Sequence, residues 1–215
     1  MVMDIPSPRW RRRKKARPQE ILDAALACFA EKGFAAARMD DIAERAGVTK
    51  GTIYLYFENK EAVFKALVRE SIGVRVTEVL EQVRVSEAPA RDILRMMISN
   101  VGNIMRTSEL VVLPKIILAE AGNFPELARF YREEIIDRGL GAMSGVIARG
   151  IARGEFRPVT PEFAARLLIA PVLMVAIWRT TFAQFDTVPF DNEGFLDTHL
   201  DILLRGLAPD GDTVA

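Results

Sequence analysis

The stretch Met39-Asp-Asp-Ile-Ala-Glu-Arg-Ala-Gly-Val-Thr-Lys-Gly-Thr-Ile-Tyr-Leu-Tyr-Phe57 decides the fold. Two helices that cross steeply need a small residue where their backbones approach, and Ala43 supplies it. The turn between them needs a residue that tolerates positive φ, and Gly47 stands four positions later. Thr49 suits the N-cap of the second helix. Ile42, Ala46, Val48, Ile53 and Phe57 are predicted to form a small core under the turn. That leaves Thr49, Lys50, Thr52, Tyr54 and Tyr56 facing outward, a set of groups suited to a phosphate backbone and to base edges. On the spacing of Ala43, Gly47 and Ile53 alone, an ordinary two-helix corner fits as well.

Working outward, a helix is predicted over about 18–32. Pro18 suits its first turn, Ile21, Leu22, Ala25 and Phe29 form one apolar stripe, and Gly33 ends it. The corner supplies helices at about 39–46 and 49–57. A fourth opens after Asn59 and runs to about 83. Ala88-Pro89 breaks the chain, and five more helices follow at about 90–106, 109–121, 125–153, 160–185 and 193–207. Pro114 and Pro171 fall inside these patterns and are expected to kink or interrupt them. Strand signals are weak, and no hairpin dipeptide separates alternating segments.

The 215 residues suffice for one large domain or two small ones. The net charge is zero, but residues 1–60 carry 12 Lys+Arg against 8 Asp+Glu, and the remainder 17 against 21. A basic module on an acidic body suggests that one end meets a polyanion. Residues 1–17 contain Arg9, Arg11, Arg12, Arg13, Lys14, Lys15 and Arg17, a like-charge run expected to be a disordered tail. Such a tail serves either as a minor-groove arm or as a source of non-specific attraction. It lacks the apolar stretch of a signal peptide. The longest charge-free apolar run, Leu167 to Trp178, is shorter than a membrane helix, so no membrane partner and a cytoplasmic location are expected. Cys28 excludes an internal disulfide and reads as a buried structural thiol. His199 lies among apolar residues of the last helix and reads as a core or dimer-interface histidine.

The segment over about 19–64 resembles the DNA-binding domain of the tetracycline-repressor (TetR) family. The resemblance rests on Gly33-Phe34, Asp41-Ile42-Ala43, Ala46-Gly47-Val48, Lys50-Gly51-Thr52-Ile53-Tyr54, Tyr56-Phe57 and Asn59-Lys60-Glu61. Leu118-Ala119-Glu120 and Phe124-Pro125-Glu126-Leu127 look like one common variety of its C-terminal domain. The resemblance implies that the third helix enters the major groove and that Lys60 lies near a phosphate. It implies a fourth helix linking this module to a ligand-binding, dimerising body. One departure is Ala37, where many members carry a capping Thr; Arg38 beside it is placed to supply the lost DNA contact.

These readings combine into an all-α protein of about nine helices: a tail over 1–17, a helix-turn-helix DNA-binding domain over 18–60, and a helical effector-binding and dimerisation domain over 61–208. The expected DNA contacts are Arg38, Thr49, Lys50, Gly51, Thr52, Tyr54, Tyr56 and Lys60. Met96, Met97, Met105 and Trp178 are candidates for lining a small-molecule pocket. No catalytic motif, no metal-ligand spacing and no cofactor fingerprint occurs. The expected function is a homodimeric regulator, a repressor released from a palindromic operator by a small, mostly apolar effector. Dimerisation is expected through the last two long helices, with Leu196, Leu200, Leu203 and Leu207 as one stripe. The alternative is a helical small-molecule binder with no DNA target.

Overall fold

The computed structural model describes residues 8–209, with side chains from residue 18 on. Among these residues all regular structure is helical, in nine continuous helices. The chain divides into two compact units that part between Glu70 and Ser71.

In the first unit, α1 spans Pro8–Ala36, α2 Met39–Arg45 and α3 Lys50–Tyr54. α1 starts ten residues before the expected position. Residues 8–17, expected as disordered tail, are therefore helical backbone, and Pro18 lies inside the helix. Arg, Lys and Ala are good helix formers, and the helix runs on through Pro18, its eleventh residue. Residues 1–7 of that tail lie outside the described residues. Gly33 adopts φ +75° and breaks the helix where the sequence reading ended it. α3 is shorter than predicted because its last turn tightens. Leu55 N–H donates to the Thr52 carbonyl and Tyr56 N–H to the Ile53 carbonyl, both three residues back.

Helix α4 covers 60–85: Lys60–Val68, a π-turn at Arg69–Gly73, then Val74–Val85. Asn59 caps it, its Oδ1 accepting from Ala62 N–H at 2.8 Å. Val63, Phe64, Leu67 and Val68 are buried, and Phe64 meets Phe29 and Phe34 edge-on at ring separations of 5.9 and 5.5 Å. This packing carries the first unit past the boundary expected at residue 60, to Glu70.

In the second unit, α5 spans Ala90–Thr107. A 3-10 turn at Glu109–Val111 leads into α6, Val112–Glu120. α7 covers 125–152, with a π-turn at Arg132–Ile136 between Pro125–Tyr131 and Asp137–Ala152. α8 spans Pro161–Ile177 and closes with turns at Trp178–Phe182 and Ala183–Phe185; α9 spans Asn192–Leu207. Pro114 falls in the first turn of α6, where its missing N–H breaks no bond, and α8 runs uninterrupted through Pro171.

The core of this unit joins Ile93, Leu94, Met97 and Ile98 of α5, Val146 and Ile147 of α7, and Leu168, Val172 and Val175 of α8. α9 completes it with Leu196, Leu200, Leu204 and Leu207. This corrects the dimerisation stripe expected on α9. Leu196, Leu200 and Leu207 are buried within their own subunit, with Leu204 beside them, and Leu203 packs partly buried against the same core. The physical reason is that α9 lies on α8 and α5, and Gly102 of α5 admits Leu196 so closely that a Cβ there would stand 2.8 Å from its Cδ1. His199 belongs to this seam, its Nε2 3.0 Å from the Leu168 carbonyl.

The outward face of α8 is also apolar: Phe163, Leu167, Leu173 and Met174 are exposed. The helix over Pro161–Phe185 is, by length and composition, long and apolar enough to cross a membrane. The charge-free run read from the sequence understated it, because the helix extends past that run at both ends. Its opposite face, with Ala164, Ala165, Leu168, Val172, Val175 and Ala176, is buried in the core just described.

Candidate nucleic-acid interface

The corner formed by α2 and α3 has the geometry its sequence requires. Ala43 is buried, and its carbonyl accepts from Val48 N–H at 3.0 Å across the turn. Gly47 takes φ +64°, which a side chain would resist. Thr49 caps α3: its Oγ1 accepts from Thr52 N–H at 3.2 Å and lies 2.8 Å from the Thr52 hydroxyl. Ile42 and Ile53 are fully buried and Phe57 nearly so, whereas Ala46 and Val48 are half-buried. With Ile53 anchored inward, the rest of the 49–56 segment is left outside. Lys50, Gly51, Tyr54 and Tyr56 are exposed, and Thr52 is half-buried.

The charged groups here are held by their neighbours. Lys50 Nζ sits 3.0 and 3.1 Å from the two carboxylate oxygens of Asp40. Arg45 pairs with Glu31 at 2.6 Å and Lys32 with Asp41 at 3.0 Å. Asp41 also accepts from Arg38 N–H at 3.1 Å, which caps the start of α2 from inside the helix. Ala37, lacking a capping hydroxyl, is instead buried, and Arg38 at the N-cap position is exposed. Hydrogen bonding from Lys32, reinforced by the Arg38 N–H, holds the Asp41 carboxyl below its ordinary range. Lys60 turns toward the protein. Its ammonium donates to the carbonyls of Phe34 at 2.7 Å and Ala35 at 2.9 Å and stands 4.6 Å from the Phe34 ring centroid. It thereby closes the C-terminal end of α1, a role the sequence did not disclose.

Of the expected DNA residues of 49–56, the structure exposes all but Thr52. It also exposes Leu55 among them at 83%, a residue the sequence reading passed over. The signal was available: Leu55 is two residues from the buried Ile53 and so points the opposite way on a helix. Cys28 is buried in α1, and burial pushes its thiol up, which keeps it protonated and unreactive.

The four candidate pocket residues are not brought together. Met97 and Met105 are buried in the core of the second unit, and Met96 packs partly buried against it, with its Sδ 3.1 Å from Asn100 Nδ2. Trp178 lines a separate open pocket of about 190 Å³ with Arg179, Asp186, Phe190 and Asn192. There the Trp178 indole N–H donates to Asp186 at 2.8 Å. Arg179 ties the end of α5 to α8 through the Met105 and Ser108 carbonyls, at 2.9 and 3.0 Å. Among the described residues no cluster of His, Cys, Asp or Glu could hold a metal ion.

Residues 21–67 match the family model described as bacterial regulatory proteins, tetR family, and residues 87–187 match a tetracyclin repressor-like C-terminal domain. The chain is 32% identical over 170 residues to an uncharacterized HTH-type transcriptional regulator, YdeS, of Bacillus subtilis (strain 168), covering 78% of this chain and 82% of that protein. The chain belongs to the TetR family. It is thus a DNA-binding transcriptional regulator with a helix-turn-helix and a helical C-terminal domain. A second relative from the same strain, the fatty acid metabolism regulator protein, is 26% identical over 198 residues, covering 91% of this chain and 98% of its own length. Among solved structures, the transcriptional regulator FadR from Bacillus subtilis in complex with stearoyl-CoA superimposes with a TM-score of 0.74 at 26% identity. That match covers 88% of this chain and 98% of the other. Family membership accounts for both halves of the sequence reading: the motif of 39–57 and the all-helical body.

Proposed function

We propose that this chain is a homodimeric repressor that grips a palindromic operator through α3 and releases it when a small, mostly apolar effector occupies the second unit. The observation that carries the DNA-binding part is the surface of 49–56, where Lys50, Thr52, Tyr54 and Tyr56 stand outward over the buried Ile53. Ammonium, hydroxyl and phenol groups of this kind position a protein on phosphates and read base edges. The chain passes between its two units inside α4, at the π-turn Arg69–Gly73, and helical π-turns recur at functional sites. The effector reading draws support from the apolar body, from the pocket beside Trp178, and from the relative whose structure holds stearoyl-CoA. Acting on chromosomal operators places the protein in the cytoplasm.

The dimer reading rests on the exposed apolar face of α8, which an isolated subunit would leave in water. A two-fold dimer imposes matching half-sites on its operator.

The test is selection of duplexes from a randomised pool by the purified full chain, followed by binding measured against salt. A repressor of this type selects an inverted repeat, and its log-affinity falls linearly with log salt as counterions are released. Adding compounds from a hydrophobic metabolite library to the complex then asks for release. Tenfold release needs about 1.4 kcal/mol of coupling, and the operator must weaken effector binding by the same factor. If nothing is selected, the DNA-binding reading fails. If duplexes are selected but no compound shifts affinity, only the effector reading fails.

A further inference from the structure

On the helical surface of α3, the residue diametrically opposite Ile53 is not one of the polar candidates. Successive helical residues are about 100° apart. Gly51 and Leu55 each lie about 200° from Ile53 and within about 40° of one another. Leu55 is the C-cap of α3, with φ −71° and ψ −24°, and although the last turn is tightened it still points away from Ile53. Ile53 is fully buried and Leu55 is 83% exposed, which fixes the Gly51–Leu55 line as the outermost ridge of the segment. Tyr54 and Tyr56, one residue to either side, flank it.

Both residues are out of place for the protein's own sake. Leu55 leaves nearly all of an isobutyl group in water. Gly51 has no positive φ, and a Cβ built on it would meet only the Thr49 Oγ1, at an ordinary 3.9 Å. Alanine would therefore fit the fold there and would favour the helix. What glycine provides is clearance on the outer side, so that another molecule can approach the helix backbone.

We infer that this ridge seats in the major groove, with Gly51 admitting the DNA to the α3 backbone and Leu55 packing on the C5-methyl of a thymine, which makes Leu55 a specificity-determining residue. The inference rests on α3 being the groove-entering helix, as proposed above. The chemistry selects the occupant: base edges in the major groove offer donors and acceptors, and the one apolar group among them is the thymine methyl. A leucine side chain has no polar atom with which to read anything else. The neighbouring phenols of Tyr54 and Tyr56 are then left to the phosphates on either side.

The experiment uses duplexes selected by the full-length protein and replaces each thymine in turn with deoxyuridine, which pairs identically and lacks only the methyl. One thymine per half-site is expected to be sensitive, with a loss of about fourfold, the value of burying one methyl-sized group. Leu55→Ala is expected to bind the thymine and deoxyuridine duplexes equally, while keeping the parent's melting temperature because Leu55 packs on nothing. Gly51→Ala is expected to weaken every duplex by a similar factor and to preserve the thymine-to-deoxyuridine ratio. The inference is overturned if no thymine is sensitive, or if Leu55→Ala retains the parent's discrimination. Failure to select any duplex would overturn the groove-entering role of α3 itself, and this inference with it.

Discussion

At the scale of single residues, the DNA-facing surface is a competition between the protein's own partners and the phosphates it is to meet. Tyr54 and Tyr56 are 47% and 38% exposed, and among the described residues no hydrogen bond to their hydroxyls occurs, so both face outward with their phenols. Tyr56→Phe is expected to weaken operator binding by roughly 1 kcal/mol, the net value of a hydrogen bond, or about fivefold. Tyr54→Ala should cost more, because the ring's contact is lost as well. Binding isotherms indistinguishable from the parent for both variants would remove the tyrosines from the interface. Lys50 differs in being already paired, with Asp40 at 3.0 Å. Both side chains are well exposed, so the pair itself is worth little. On DNA, however, Asp40 presents a negative charge beside the phosphate that Lys50 would bind. Asp40→Asn is expected to tighten operator binding by about threefold to fivefold at low salt, in line with the 0.2–1 kcal/mol of exposed charge pairs. The gain should shrink as salt screens it. Weaker binding by Asp40→Asn would mean that the carboxylate aligns Lys50 rather than competing for it.

At the scale of elements, one carboxylate ties the start of α2 to α1. Asp41 accepts from Arg38 N–H within its own helix and pairs with Lys32 of α1. Both contacts favour the ionised form, and its carboxyl lies below the ordinary value of 3.8. A depressed carboxyl contributes stability that is fully present above its unfolded value and is lost as pH falls through the folded one. Asp41→Asn should therefore lower the melting temperature at neutral pH, and the gap from the parent should close as the pH drops below 3.8. A gap that stays constant from pH 7 to pH 3 would show that Asp41 acts through shape alone. The sequence disclosed most at this scale where a rule of local geometry applied. Gly33 and Gly47 were legible as positive-φ positions, and Thr49 as a cap. Lys60 was not legible, because its partners are carbonyls 25 and 26 residues earlier in the chain, and no local pattern announces a cap that arrives from another helix. Leu55 was passed over for a different reason: an apolar residue among polar ones reads as core until its register against Ile53 is counted.

At the scale of the whole molecule, the unresolved choice was which helix faces of the second unit are core and which are free. Helices α8 and α9 are both apolar enough for either role. On α9 the stripe of Leu196, Leu200, Leu203 and Leu207 reads from the sequence as a dimer face, yet Leu196, Leu200 and Leu207 close the subunit's own core and Leu203 packs against it. Periodicity shows that a face is apolar but not against what it packs. The surplus apolar face is on α8, where Phe163, Leu167 and Met174 recur at helical spacing and are exposed, with Leu167 at 61%. A stable two-fold interface buries about 1,200–2,000 Å² in total, more than one helix ridge provides. The partner surface must therefore include neighbouring residues such as the exposed Ile202 of α9. Leu167→Glu places a charge at the centre of this face. Because Leu167 is exposed in the subunit, the substitution should leave the fold and its far-UV spectrum intact. It should nonetheless convert a dimer into a species of the 24.0 kDa chain mass by sedimentation equilibrium. Leu204→Glu is the contrasting variant: buried in the core at 3% exposure, it should unfold the subunit rather than dissociate it. Operator affinity gives an independent reading. A monomer grips one half-site, so Leu167→Glu should lose the preference for an inverted repeat over a single half-site even at protein concentrations that saturate the parent. A parent protein of monomer mass, or a Leu167→Glu variant that remains dimeric, would remove α8 from the interface and leave its apolar face to another partner.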